Sequence, residues 1–176
     1  MREPFSIKSF GALVDEVYAG KDFAEPLFEV PTVNPERTFL EKVFLLHEEF
    51  HRPTEKIRVD RLSRHLYDIY HITKAGIAEK AINDKELYET IVAHRYTFSR
   101  VGDVDYNFHN PKTVNPIPIA EKIAEWNSDY TKMKEQMIYE ENAPSFKEII
   151  TELTLLKEKI NALDWKFETQ FPMPNH

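Results

Sequence analysis

In the last third of the chain, apolar residues recur at steps of four and three. Ile119, Ile123, Trp126, Tyr130, Met133 and Met137 form one ladder, and Phe146, Ile149, Leu153, Leu156, Ile160 and Leu163 form a second. Side chains at this period share one side of an α-helix and are scattered over both faces of a strand. Two amphipathic helices are therefore predicted. Ser145 followed by Glu148 is a capping box that opens the second. The short Glu140–Pro144 link folds the two back as an antiparallel hairpin. The steps also match a coiled-coil seam between chains, but runs this short seldom associate alone, and each stripe has a partner within the chain.

Proline and cap residues punctuate the rest. Asn34-Pro35-Glu36 places a capping side chain before a proline in the first helical turn, and Pro53 forbids continuation beyond about Arg52. Within that helix Phe39, Val43, Leu46 and Phe50 form one core-facing stripe. A second helix, from about Asp60 to Thr73, presents Leu62, Leu66, Ile69 and Ile72 in the same way. Residues 76–82 form a helical turn, and Asn83 or Asp84 caps a further helix carrying Leu87, Ile91, His94 and Phe98 on one side. Residues 101–118, with Gly102, Pro111, Pro116 and Pro118, form a long loop, read either as functional or as aromatic arms laid over a helical core. Residues 1–34 lack helical spacing. Phe5, Ile7 and Phe10, and Phe28-Glu29-Val30 between two prolines, read as short strands or extended arms. The chain is thus mainly α: a helical bundle with a long C-terminal hairpin and short N-terminal strands. It divides into an arm (1–34), a helical domain (35–163) and a partly ordered tail (164–176).

A hydrophobic fraction of 41% beside 30% charged residues supports a packed core. The absence of cysteine removes disulfides, thiol nucleophiles and iron–sulfur clusters, and is compatible with a cytoplasmic location. The run Val43–Leu46 is far too short to span a bilayer, so a soluble chain with no membrane partner is expected. A net charge of −7 excludes nucleic-acid binding by bulk electrostatics and leaves only local patches for it.

Three constellations bear chemistry. His47-Glu48-Glu49-Phe50-His51 fits H-E-x-x-H on a helix, the arrangement of a zinc peptidase. Against that reading, Arg52-Pro53-Thr54 replaces the glycine turn to a third ligand, His47 sits at the edge of the core stripe, and the helix stops just beyond His51. Asp103-Val104-Asp105 has the i, i+2 spacing of paired metal carboxylates on a strand. No Gly-Ser dipeptide exists to accompany it, so it reads as loop. The strongest cluster spans two helices: Arg61, Arg64 and Asp68 share a polar stripe opposite the leucines, and Lys42 lies on the flank of the preceding helix away from the histidines. Arg52, Lys56, Arg58, Arg61 and Arg64 face only Glu55 and Asp60 over this stretch, a basic patch suited to phosphate. A solvated face with intrahelical ion pairs is the alternative.

The segment from Pro35 to Pro53, followed by Arg61-Leu-Ser-Arg-His-Leu-Tyr-Asp-Ile-Tyr-His-Ile72, resembles the C-terminal half of the AbiEii/AbiGii toxins. These are nucleotidyltransferases of type IV toxin–antitoxin systems within the DNA polymerase β superfamily. The resemblance extends over about residues 3–163. It implies a lysine from the first motif, and an arginine and an aspartate from the second, beside the bound nucleotide. These match Lys42, Arg64 and Asp68, and Arg61 joins them as a nucleotide-binding candidate. The family's Arg-Asp-x-x-Asp pattern has His65 at its first acid here. The resemblance also implies that the Gly-Ser turn and the metal aspartates belong to an N-terminal half, so this chain is expected to hold no metal and to be inactive alone. Magnesium and a nucleoside triphosphate are expected only with that half, and tRNA is the acceptor implied. Asp68 would act as the catalytic acid–base group. The alternative functions are a module that binds an antitoxin or a second copy, and the zinc peptidase.

Overall fold

A computed structural model describes residues 5–140 and 142–173; Met1–Pro4, Glu141 and Pro174–His176, which include the first residues of the expected arm and the last of the tail, lie outside the described residues. Strands β1 (Phe5–Phe10) and β2 (Phe28–Val33) pair antiparallel, with Phe5 opposite Val33 and Phe10 opposite Phe28. The two extended pieces thus form one hairpin. Its connection contains a single short helix, α1 (Leu13–Val17), too brief to show a helical period in the sequence. Phe5, Ile7, Phe10, Phe28 and Val33 remain exposed, so the hairpin stands apart from the helical core.

Helix α2 (Pro35–Phe50) starts at Asn34-Pro35 as expected and is the hub. The predicted stripe of Phe39, Val43, Leu46 and Phe50 is buried, but so are Leu40, Phe44, His47, Glu48 and Glu49. A helix covered on more than one side lies in the middle of a fold. Around it pack α3 (Ser63–Lys74), α4 (Ile77–Asn83) and α5 (Lys85–Phe98). Helix α3 begins three residues later than the pattern predicts, because Arg61 has φ 59°, outside the right-handed helical region. Between α3 and α4 the chain turns at Gly76, whose positive φ of 75° suits a residue without Cβ.

Asp84 caps α5 by accepting from the Leu87 N–H at 2.9 Å. The face of α5 differs from the one predicted. Tyr88, Ile91, Val92 and Arg95 are buried, whereas Phe98 is 74% exposed. Arg95 explains the rotation: two carboxylates of α2 draw it inward.

The loop over 101–118 is a plug. Val104, Tyr106, His109 and Val114 are buried, and the Tyr88 hydroxyl donates to the His109 carbonyl at 2.7 Å. Then come α6 (Ile123–Met137) and α7 (Phe146–Asn161), joined through the Tyr130 hydroxyl, which donates to the Pro144 carbonyl at 2.6 Å. Trp126, Tyr130 and Met133 of the first stripe and Ile149, Leu153, Leu156 and Ile160 of the second are buried. Both stripes are turned mainly onto α3 rather than zipped together, and Met137 at the end of α6 is left exposed. The tail then packs Phe167 and Phe171 against α5 and the plug. It is clasped where Asn107 exchanges two hydrogen bonds with the Phe171 backbone, at 2.9 and 3.0 Å. No helix among the described residues is long and apolar enough to cross a membrane.

Candidate functional site

Lys42, near the middle of α2, and Asp68, in the second turn of α3, meet across the seam between those helices. The Lys42 Nζ donates to Asp68 Oδ2 at 2.7 Å, with both side chains partly open to solvent. Such a pair is held loosely enough by water for an incoming anion to exchange with it. A phosphate oxygen can replace Asp68 at the ammonium, and the released carboxylate is then free to accept a proton. His65, one helical turn before Asp68, lies in the same group. Burial pulls its pKa down to about 4, and the charges of Lys42 and Arg64 add to that effect against the opposing pull of Asp68. At neutral pH His65 is therefore uncharged and adds no like charge beside Lys42.

Arg61 and Arg64 face a different seam. They line a cleft of about 420 Å³ between α3 and α6, with Asp60, Asp129, Lys132, Met133, Gln136 and Met137. Of the predicted cluster, Arg61 and Arg64 thus line this cleft, while Asp68, one helical turn beyond Arg64, is turned to Lys42. Asp129 holds the cleft together. It accepts from the backbone N–H of Arg61 at 2.8 Å and of Ser63 at 3.0 Å, satisfying donors at the start of α3 that have no partner within the helix. This grip also steadies Arg61 in its left-handed conformation.

The basic patch is smaller than the sequence implies. Glu49 takes Arg58 through two side-chain bonds, at 3.0 and 2.7 Å, and Arg52 at 3.3 Å, while Asp103 takes Lys56 at 2.9 Å. Asp105 caps the turn Tyr106–His109 by accepting from the Asn107 N–H. Neither loop aspartate is placed as one of a metal pair.

The H-E-x-x-H residues are structural. Glu48 is buried, and Arg95 Nε and Nη2 reach its two oxygens at 2.7 and 2.6 Å while His109 Nε2 lies 3.2 Å from Oε1. Burial pushes the Glu48 carboxyl up, but Arg95 and His109 outweigh this and hold it below the ordinary value. His47 is wholly buried and accepts from the Asn115 N–H, and its burial, with the charges of His109 and His51, depresses its pKa well below the usual histidine range. A carboxylate locked in this way cannot serve a metal-bound water. Among the described residues no group of three or more His, Cys, Asp or Glu is placed to hold a metal ion.

Asp129, Lys132 and Gln136 are the site residues that sequence reasoning missed. Asp129 pairs with backbone 66 and 68 positions away, a distance at which spacing rules carry no information. The only available signal was that Asp129, Lys132, Met133, Gln136 and Met137 follow i, i+3, i+4, i+7, i+8 along one helix face.

No curated protein and no solved structure matches the chain. A family model described as "Nucleotidyl transferase AbiEii toxin, Type IV TA system" matches residues 2–152, a span that takes in both seams of α3 and all of α6. By that match the chain belongs to the AbiEii nucleotidyl transferase toxin family.

Proposed function

We propose that this chain supplies the helical wall of a nucleotidyl-transfer site. In this reading Lys42 contacts nucleotide phosphate, Asp68 orients or deprotonates the acceptor hydroxyl, and Arg64 and Arg61 bind phosphate from the neighbouring cleft. The observation that carries it is the solvent-accessible Lys42–Asp68 pair, set beside Arg64 with a neutral histidine between them. Phosphoryl transfer depends chiefly on positioning and on divalent cations. The described residues do not fit such an ion, and the sequence contains no Gly-Ser dipeptide. In our proposal the metal carboxylates come from a second segment or polypeptide, and the chain alone is inactive.

The test is transfer of label from a nucleoside triphosphate to RNA, tRNA included, or to protein. Purified chain alone is expected to give none. When it is joined to a segment carrying a Gly-Ser turn and paired aspartates, transfer appears and Asp68→Ala abolishes it. Label transferred by the chain alone overturns the dependence on a second segment, and unimpaired transfer by Asp68→Ala overturns the role of Asp68.

A protein-binding role is the second reading. Membership of a toxin–antitoxin family supports an antitoxin as partner, and the uncovered Phe5, Ile7 and Phe28 of the hairpin supply apolar surface for a protein. Light scattering at several concentrations separates self-association from binding of a different protein: a monomer throughout removes the former.

A further inference from the structure

The N-terminal arm and the α3–α6 cleft are each left uncovered by the rest of the chain. Of the seventeen large apolar residues exposed among those described, eleven lie between Phe5 and Val33, and Leu13 and Val17 of α1, in the hairpin connection, are 75% and 66% open to water. Together the eleven leave on the order of 1,000 Å² uncovered, and a standard interface takes about 800 Å² from each partner. The arm carries Asp15, Glu16, Asp22, Glu25 and Glu29 against Lys8 and Lys21 over the same residues. An apolar surface with this acidic balance is repelled by anionic lipid and by nucleic acid, which leaves protein as the class that covers it. The cleft has the opposite character. Arg61, Arg64 and Lys132 are exposed in its lining, and among the described residues none of their side chains has a hydrogen bond or an ion pair. Asp129 is held by two backbone N–H groups and Glu125 by Lys122, so among the described residues Asp60 is the one uncommitted acid there. A further hollow of about 290 Å³ shares Asp60, Asp129 and Lys132 with the cleft and extends it to Glu125. From Glu125 to Met137 the groove follows α6 for about 18 Å, the reach of a peptide segment. Met133 and Met137 give it adaptable apolar contacts at one end.

We propose that a second copy of the chain covers both surfaces: the arm of each copy lies in the α3–α6 groove of the other, with its acids at Arg61, Arg64 and Lys132 and its exposed leucine and valines at Met133 and Met137. The two surfaces are opposite in charge and each is apolar in part, so one chain supplies both halves of a complementary contact that it does not make with itself. A reciprocal exchange about a two-fold axis satisfies both halves at once and closes the assembly at two copies. The proposal rests on the protein-binding reading above and narrows it, naming this chain as the partner and the arm and groove as the surfaces. On the transfer reading, docking and phosphate binding exclude each other at Arg64, which makes the dimer a resting state of the site.

Light scattering of the full chain at several concentrations is expected to show a monomer passing to a dimer. Arg64→Glu with Lys132→Glu reverses the groove, and Glu16→Lys with Asp22→Lys reverses the arm; all four positions are exposed. Each doubly substituted chain alone is expected to remain a monomer, because like charges then meet in both contacts. Mixed in equal amounts, the two are expected to form a dimer again, since each arm now meets a groove of opposite sign. Recovery on mixing is a result that misfolding of either variant does not give. Leu13→Ser, which alters no charge, is expected to weaken the original dimer about tenfold. A dimer that survives groove reversal overturns the docking of arm in groove, and so does a mixture that stays monomeric. A monomer of the unaltered chain at every concentration overturns the second copy as occupant and leaves the protein-binding reading to a different protein. Transfer of label enters none of these measurements, so the role of Asp68 stands or falls separately.

Discussion

His65 ties the site to folding. Its pKa in the fold, about 4, lies below the ordinary histidine value near 6.5, so the unfolded chain binds the proton more readily. Its contribution to stability is complete above pH ~6.5 and is lost as the pH falls toward 4. His65→Gln removes that titration. The urea midpoint of the variant is expected to fall less steeply than that of the original chain between pH 6.5 and 4, and parallel curves would show that His65 is not the group responsible. The sequence grouped Arg61, Arg64 and Asp68 by helical spacing, since neighbours on one helix are fixed by 3.6 residues per turn, and His65 was noted only where the family's pattern has an acid. That spacing could name the faces of α2 and α3 but not which faces would touch. Lys42 was grouped with them by its flank of the preceding helix and given a role by a resemblance, and its contact with Asp68 is a property of packing.

At the scale of elements, the same division separates Ser145 from Asp129. Both carboxylate-linked caps stabilise helix starts, yet only the first could be read. Ser145 and Glu148 are three residues apart, and the reciprocal bonds of a capping box form as expected. The Glu148 N–H donates to the Ser145 hydroxyl at 3.2 Å, and the Ser145 N–H to the Glu148 carboxylate at 2.7 Å. Ser145→Ala should cost about 1 kcal/mol in urea unfolding. Asp129 caps α3 from α6, so its loss acts on two elements together. Asp129→Ala should cost about 2 kcal/mol, toward the upper end for a lost cap because a charged acceptor is removed. It should also speed amide exchange at Arg61 and Ser63, whose N–H groups Asp129 holds. Unchanged exchange at those two amides would remove Asp129 as the lock. Helix α5 shows where periodicity alone is too weak: Leu87, Ile91, His94 and Phe98 form as regular a stripe as the one buried, and the choice is made by a charge.

For the whole molecule, that charge organises the interior. Arg95 bridges Glu48 and Glu41 at 2.6–2.8 Å, and Arg37 reaches Glu41 at 3.1 Å. Burial pushes the Arg95 guanidinium down, but the two carboxylates outweigh it and hold its pKa above the ordinary value. Removing one member leaves the other charged and dry. Glu48→Gln is expected to destabilise the chain by about 3–5 kcal/mol, and pairing it with Arg95→Met should restore much of the loss. Additive losses in that cycle would count against the coupling. The mainly helical architecture was readable because apolar spacing reports on local structure, and H-E-x-x-H misled only as a pattern, since its glutamate finds its partner 47 residues away.

Helix α3 carries Arg64 and Asp68 on one face, four residues apart along a stiff rod. At about 1.5 Å of rise per residue, their attachment points are separated by roughly 6 Å along its axis. That interval acts as a ruler: a molecule touching both must span one helical turn, a length the backbone sets and side-chain motion changes little.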